Sequence, residues 1–439
     1  MGWNPLLTGS IRDTALEKAS ALTRTLEAAR ATDQRSASLA AGAAGIAVCH
    51  AVVAKSRQDD RSREAAIACL DSTIDVLASQ PLSLSLYSGF PGIAWAANLI
   101  GHLLPGDAPD RLDELDRVLA GALRRYPANG PYDLIDGLTG LGLYALARWP
   151  RPAAADCLAE VLGHLAGRAR SGARGAYWWT PESELAGPRR QLYPAGGVDA
   201  GMAHGMTGVI PLLARACALG LGEPALRGLL DGAVEWLLGH LVESPSGPTM
   251  PSFVAADADP RPARSAWCNG DPGVAIALLL AARDLNEPSW ELVGTELALR
   301  AAGRPPELCG VNDAALCHGS AGLAHLFGRM HQLTGRPELA DAALAWLHRT
   351  LAACTRAAGQ ASAEPAGRGA ERGQLAARPG GRSTALPLRL GAAAPWTGPG
   401  LLEGAAGVAL ALLSACLPEE PIWDQMLFVS SGLPAPVSV

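Results

Sequence analysis

Two thiols and an imidazole occupy equivalent points of a repeated pattern. Cys268 lies in Trp267-Cys268-Asn269-Gly270, and Cys317 with His318 in Cys317-His318-Gly319. Each segment runs into Gly-x-x-Gly followed by an aliphatic residue. Thiolate and imidazole are ligand types suited to Zn2+, and three protein ligands leave one tetrahedral position open, as catalytic rather than structural sites do. The competing reading is two buried, inert cysteines and a histidine hydrogen-bonded at a helix start. Cys309, shortly before Cys317, is the one further thiol placed to be an extra ligand. The other six cysteines read as core residues.

His204, in Ala203-His204-Gly205, shares its repeat position with His318. It is a candidate general acid or base beside the metal, or else a polar residue satisfied at a helix N-terminus. Asp133 and Asp136, in Tyr132-Asp133-Leu134-Ile135-Asp136-Gly137, are each equally readable as helix caps. Arg264, four residues before Cys268, reads as a site cation or an ordinary surface arginine. Trp267 reads as packing.

These residues depend on a repeat for their placement. The Gly-x-x-Gly pattern begins at Gly42, Gly89, Gly137, Gly205, Gly270, Gly319 and Gly404. Each copy opens a stretch apolar nearly all round, as buried helices are. A more amphipathic helix precedes each copy: Asp13–Thr32, Ser62–Gln80, Pro109–Tyr126, Pro152–Arg168, Glu223–Leu241, Ser289–Ala302 and Arg336–Arg356. Alternation of this kind at a period of about 50 residues reads as stacked helical hairpins. No polar capping repeats mark the two ends, so the expected fold is all-α: a closed α/α toroid of seven outer and seven inner helices. The glycines are expected to allow close backbone approach and unusual φ where each loop enters an inner helix. Equivalent loops then face one end of the ring, which is where functional side chains belong.

Three inserts break the period: Gly172–Asp199 with Tyr177-Trp178-Trp179, Val242–Ser265 rich in Pro, Ser and Asp, and Ala357–Pro395 rich in Ala, Gly, Arg and Pro. The last is expected to be a mobile loop. The whole chain, 1–439, reads as one domain carrying that flexible insert at 357–395.

Composition narrows the function classes. Of 439 residues, nearly half are hydrophobic, enough for a sizeable core. The formal charge of −6 carries no polybasic signature, so nucleic acid is not an expected partner. Lys18 and Lys55 are the only lysines beside many arginines, a bias of base composition rather than function. There is no signal-peptide pattern and no transmembrane run. Nine cysteines, an odd number, scattered through helical patterns, suit a reduced cytoplasm.

Trp267-Cys-Asn-Gly-Asp-Pro-Gly273, Cys317-His-Gly-Ser-Ala-Gly322 and Ala203-His-Gly-Met-Thr-Gly208 resemble the three signature motifs of the lanthionine synthetase C-like family, the lantibiotic cyclases. Asp133-Leu-Ile-Asp-Gly-Leu-Thr-Gly140 resembles the family's aspartate motif. Leu401-Leu-Glu-Gly-Ala-Ala-Gly407 and Trp423-Asp424 resemble its usual ending. The resemblance covers nearly the whole chain, with the motifs in order. It implies an α/α toroid holding one Zn2+ per chain through Cys268, Cys317 and His318. It also implies His204 as catalytic histidine, Asp133 rather than Asp136 as its carboxylate, and Arg264 as a site cation. Two features depart from the pattern: Asn269 stands where the family often has an aromatic residue, and the 357–395 loop is long.

The implied reaction adds a peptide cysteine thiol to dehydroalanine or dehydrobutyrine in the same peptide, forming a lanthionine or methyllanthionine ring. The implied partner is a dehydrated precursor peptide, a leader plus a Cys-containing core. The chain has no room for a dehydratase domain, which implies a free-standing cyclase working after a separate dehydratase. That places it in the cytoplasm, with contact to the membrane surface only through a complex that includes a transporter. Terpene cyclases, prenyltransferases and some glycosidases also use helical toroids; those that ionise a diphosphate need clustered carboxylates, and paired ones near the repeat glycines are not found in this sequence. A zinc-bearing peptide- or thiol-binding scaffold without catalysis is the remaining alternative.

Overall fold

The structure is a computed structural model and describes residues 3–27, 29–105, 112–185, 187–222, 224–363, 396 and 398–430. Seven inner helices, Ala43–Arg57, Phe90–Leu103, Leu138–Ala147, Val209–Ala218, Asp271–Leu285, Ser320–Thr334 and Ala405–Cys416, form the inner wall of an α/α toroid. The outer wall is Gly9–Arg24, Asp60–Ser79, Leu112–Leu123, Pro152–Arg168, Ala225–Leu238, Pro288–Ala302 and Pro337–Ala363. The inner helices bury nearly every side chain because both of their faces meet protein. All twelve residues of Ala405–Cys416 are buried. A fully buried Leu contributes about 1.5–3 kcal/mol, so this inner wall dominates the stability.

The packing order differs from the sequence order of the pairs. Ala43–Arg57 packs on the outer helix that follows it, Asp60–Ser79, and Asp271–Leu285 and Ser320–Thr334 likewise pack on the helices that follow them. The first outer helix, Gly9–Arg24, instead packs on the last inner helix. Leu7 N donates to Ala415 O at 2.9 Å and Arg12 Nε to Cys416 O at 3.1 Å. The chain's beginning thus closes the ring on its final repeat.

A hydrogen-bond circuit, backbone to backbone except at Ser85, locks the entry loops together. Ala203 N donates to Cys268 O (3.2 Å), Cys268 N to Cys317 O (3.4 Å), Cys317 N to Leu402 O (2.8 Å), Leu402 N to Ala40 O (2.9 Å) and Ala40 N to Tyr87 O (3.0 Å). Ser85 Oγ continues to Ile135 O at 2.8 Å, and Leu134 N returns to Ala203 O at 3.1 Å. All seven repeats take part. Positions equivalent in the repeat are therefore neighbours in space.

The expected unusual φ is found at one motif glycine opening an inner helix, Gly270 at +91°; the others are extended at that point. Close approach explains the second glycine. A Cβ on Gly273 would collide with the Trp267 carbonyl and stand 3.2 Å from Met202 Cβ of the neighbouring repeat.

The C-terminal 3-10 turn Trp423–Leu427 packs among the inner helices. Tyr87 Oη donates to Met426 O at 2.6 Å and Trp267 Nε1 to Leu427 O at 2.8 Å. Buried Asp424 accepts from His325 Nε2 at 2.6 Å and from Arg329 Nε at 2.7 Å. Trp267 is thus a packing residue that ties the turn bearing Cys268 to the C-terminal turn.

Two inserts fold into short antiparallel ladders. Arg170–Gly172 pairs with Gly175–Tyr177. Val198 and Asp199 pair with Val254 and Phe253, which joins the first insert to the second. Leu185, Tyr193 and Phe253 form a separate small apolar cluster there. In the third insert, the outer helix continues to Ala363, so residues 357–363 are helical rather than loop. The rest of that segment, 364–395, lies outside the described residues.

Candidate active site

The loop circuit brings Cys268, Cys317 and His318 together: their ligand atoms all lie within 4.8 Å of one another. Cys317 is buried and Cys268 partly so. The hydrogen bond with Cys317 holds the Cys268 thiol well below the ordinary thiol range, against the effect of burial, with help from His318 and the Arg264 charge. Cys317 is pushed well above that range by the same hydrogen bond and by burial. Two thiols and an imidazole at this spacing, with Cys268 biased towards thiolate, fit a soft divalent metal such as Zn2+. The hydrogen bond with Cys268 raises the His318 imidazole.

Asp313 supports this group, and sequence reading missed it. Its Oδ2 lies 3.5 Å from His318 Nε2, while its Oδ1 accepts from Ala315 N at 2.8 Å. A carboxylate behind a metal-ligating histidine fixes the ring's orientation. The only signal was an Asp in the turn before the motif, a common residue in turns. Cys309 stands apart from the cluster: its Sγ donates to the carbonyls of Pro305 (3.5 Å) and Arg304 (3.7 Å). The other six cysteines are buried.

His204 opens the neighbouring repeat. Its Nδ1 donates to Asp133 Oδ2 at 2.7 Å, and Asp133 Oδ1 accepts from Asp136 N at 2.7 Å. Asp133 is therefore both the partner of His204 and the cap of its own turn. Burial disfavours the charged imidazole. The hydrogen bond and charge of Asp133, then the charges of Asp199 and Asp136, outweigh it and raise His204 to about 9. Asp136 takes the lesser part: burial and the Asp133 charge raise its carboxyl.

One cavity of about 420 Å³ joins the two groups, with Cys268 and His204 both on its wall. Arg264 reaches into it, its Nη2 4.0 Å from Cys268 Sγ. Asn269 also lines it, and its Oδ1 is buried without a hydrogen-bond partner among the described residues. The opposite wall comes from the inserts, with Arg189, Tyr193, Asp199 and Arg261. Nothing periodic in the sequence pointed to these.

A closed helical ring with a thiol–thiol–imidazole cluster and a His–Asp pair on one cavity defines an α/α toroid with a candidate metal centre and acid–base dyad. The chain belongs to the lanthionine synthetase C-like family: residues 33–362 match the family described as "Lanthionine synthetase C-like protein". It is 24% identical over 265 residues to the nisin biosynthesis protein NisC of Lactococcus lactis subsp. lactis, a stretch covering 56% of this chain. That stretch spans 62% of NisC, under two thirds of its length. The fold matches the solved structure of nisin cyclase with a TM-score of 0.67 at 18% identity, covering 95% of this chain and 96% of that one. Among the described residues, no helix is long and apolar enough to cross a membrane.

Proposed function

We propose that this protein is a zinc-dependent lanthipeptide cyclase. It adds cysteine thiols of a modified peptide to dehydroalanine or dehydrobutyrine in the same peptide, forming lanthionine or methyllanthionine rings. The observation that carries this reading is the shared cavity, lined both by Cys268 of the thiol–imidazole cluster and by His204, which Asp133 holds from behind. Cys268, Cys317 and His318 hold one Zn2+ per chain. Bound there, Zn2+ would supply Lewis acidity that favours the thiolate form of a substrate cysteine, whose proton would leave to solvent.

The chain's own residues complete the addition. Sulfur bonds to the alkene β-carbon, the π electrons move to the neighbouring carbonyl as an enolate, and the α-carbon must then take a proton. His204 delivers it, since Asp133 favours the protonated ring and fixes its direction. Arg264 faces the same space and offsets charge on the enolate oxygen. The substrate is a precursor peptide, leader plus Cys-containing core, dehydrated by a separate enzyme. The reaction takes place in the cytoplasm, before export by a transporter.

The test is His204→Ala with a dehydrated precursor. Thiol alkylation followed by mass spectrometry counts unreacted cysteines, because ring closure leaves peptide mass unchanged. The variant should keep its zinc and lose most ring formation. Rings formed at the wild-type rate would reduce His204 to a structural residue. A wild-type protein that forms no rings would favour the zinc-bearing scaffold instead.

A further inference from the structure

We propose that Arg261 reads a carboxylate close in sequence to the reacting cysteine, so that this cavity prefers acidic modified peptides. The inference rests on the cyclase reading for the identity of the occupant. The chain as a whole is acidic, at −6, yet the cavity wall inverts that balance. It carries Arg189, Arg261 and Arg264 against the one carboxylate of Asp199. Two of these cations already have company. Arg189 Nη2 donates to Asp199 Oδ2 at 2.7 Å, and Arg264 faces Cys268. Arg261 has no acidic partner among the described residues. Asp257 and Asp259, on the same insert, do not line the cavity.

Arg261 also stands on a rigid support, unlike a loose surface arginine. Ser252 N donates to Arg261 O at 3.1 Å and Ala263 N to Met250 O at 2.9 Å, so the arginine sits within an antiparallel pairing. Met250 N donates in turn to Asp271 Oδ1 at 2.7 Å. Asp271 is buried and ion-paired with buried Arg304, which also donates to Ser265 Oγ at 2.8 Å. Asp271 belongs to the inner helix that follows Cys268. Arg261 is therefore held in fixed register with the ligand cluster. Its backbone is what is pinned; the exposed guanidinium, with no acidic partner of its own among the described residues, can meet a carboxylate in bidentate geometry. Because the same cavity holds Cys268, the carboxylate must lie only a few residues from the thiol.

The experiment measures binding and ring formation separately, on the zinc-loaded protein. Two fluorescein-labelled peptides each carry one Ser and one Cys, with Glu on both sides of the cysteine in one and Gln in the other. Anisotropy titration should give the Glu peptide a Kd about fivefold lower, the scale of a partly exposed ion pair. Raising ionic strength from about 0.05 to 0.5 M should shrink the difference. Arg261→Gln should abolish it and Arg261→Glu should reverse it. Arg190→Gln, a neighbouring arginine outside the cavity wall, should leave it intact. Equal Kd values in the wild type, no binding of either peptide, or a preference that survives Arg261→Gln would overturn the inference. The dehydrated versions of both peptides are assayed for rings in parallel. A Glu preference lost in Arg261→Gln, with no rings from either peptide, would sink the cyclase reading and leave this inference standing.

Discussion

His204 donates from Nδ1 to Asp133 Oδ2 at 2.7 Å across the boundary between two adjacent repeats. The aspartate's other oxygen is occupied by the Asp136 amide, so the carboxylate cannot swing away without losing its own turn. The contact fixes which imidazole nitrogen faces the cavity. It also explains why the pair is built from two separate motifs: the loop circuit places the third and fourth repeats side by side.

Asp133→Asn keeps the shape and removes the charge. The expected result is a fall in kcat of about 10²-fold or more, the usual weight of a positioned acid–base group, with KM changed far less. Steady-state ring formation by alkylation and mass spectrometry checks this. A kcat within about twofold of wild type would show that Asp133 only caps its turn.

Metal content should separate Cys268 and Cys317 from Cys309, the thiol that stands shortly before Cys317 in sequence. Cys268→Ala and Cys317→Ala should each lose most of the bound zinc, because two remaining ligands do not make a competent site. Cys309→Ala should keep it, since that thiol points at the carbonyls of Arg304 and Pro305. Elemental analysis of the three purified variants decides. Full zinc in either of the first two would break the ligand assignment.

Asp313→Ala should weaken zinc binding by about 10- to 100-fold, the cost of losing a carboxylate behind a ligating histidine. A chelator competition titration reads the affinity, and circular dichroism should show the helices intact. Unchanged affinity would mean that Asp313 only braces its turn through Ala315.

How much could be read before the structure follows from what repeats. The seven glycine motifs, the inner and outer helices and the kinship of the Cys268 and Cys317 positions are periodic. The hydrogen-bond circuit turns that periodicity directly into proximity. Asp313, Arg189 and Arg261 were not legible because they sit in turns and inserts with no period, placed by local pairing such as Asp199 with Phe253. The closed ring was expected, but the contact that closes it was hidden. The sequence shows an amphipathic helix before each inner one, but not that Gly9–Arg24 packs on the last inner helix. Only the geometry of the complete circle selects that partner.

Buried His50 sets a pH dependence of stability. It lies on the first inner helix with neither ring nitrogen hydrogen-bonded among the described residues. Burial lowers its pKa, opposed by the charge of Glu27, the nearby backbone of Leu26 and the charge of Asp59. The folded protein therefore prefers neutral His50, while the unfolded chain takes up a proton near pH 6.5. The stability contributed is present above that value and is lost as pH falls below it, by up to about 1.4 kcal/mol per pH unit. Urea melts at several values between pH 8 and 5 should show this decline, and His50→Phe should flatten it. An equal slope in the variant would place the effect elsewhere.

The most direct test of the central claim is ring formation on one dehydrated precursor by three samples: zinc-loaded protein, the same protein stripped by chelator, and the stripped protein refilled with Zn2+. The account predicts that alkylatable cysteines disappear with the loaded enzyme and persist at the uncatalysed level with the stripped one. They should disappear again after refilling, with fragmentation showing intact rings. Equal ring formation by stripped and loaded protein would contradict it.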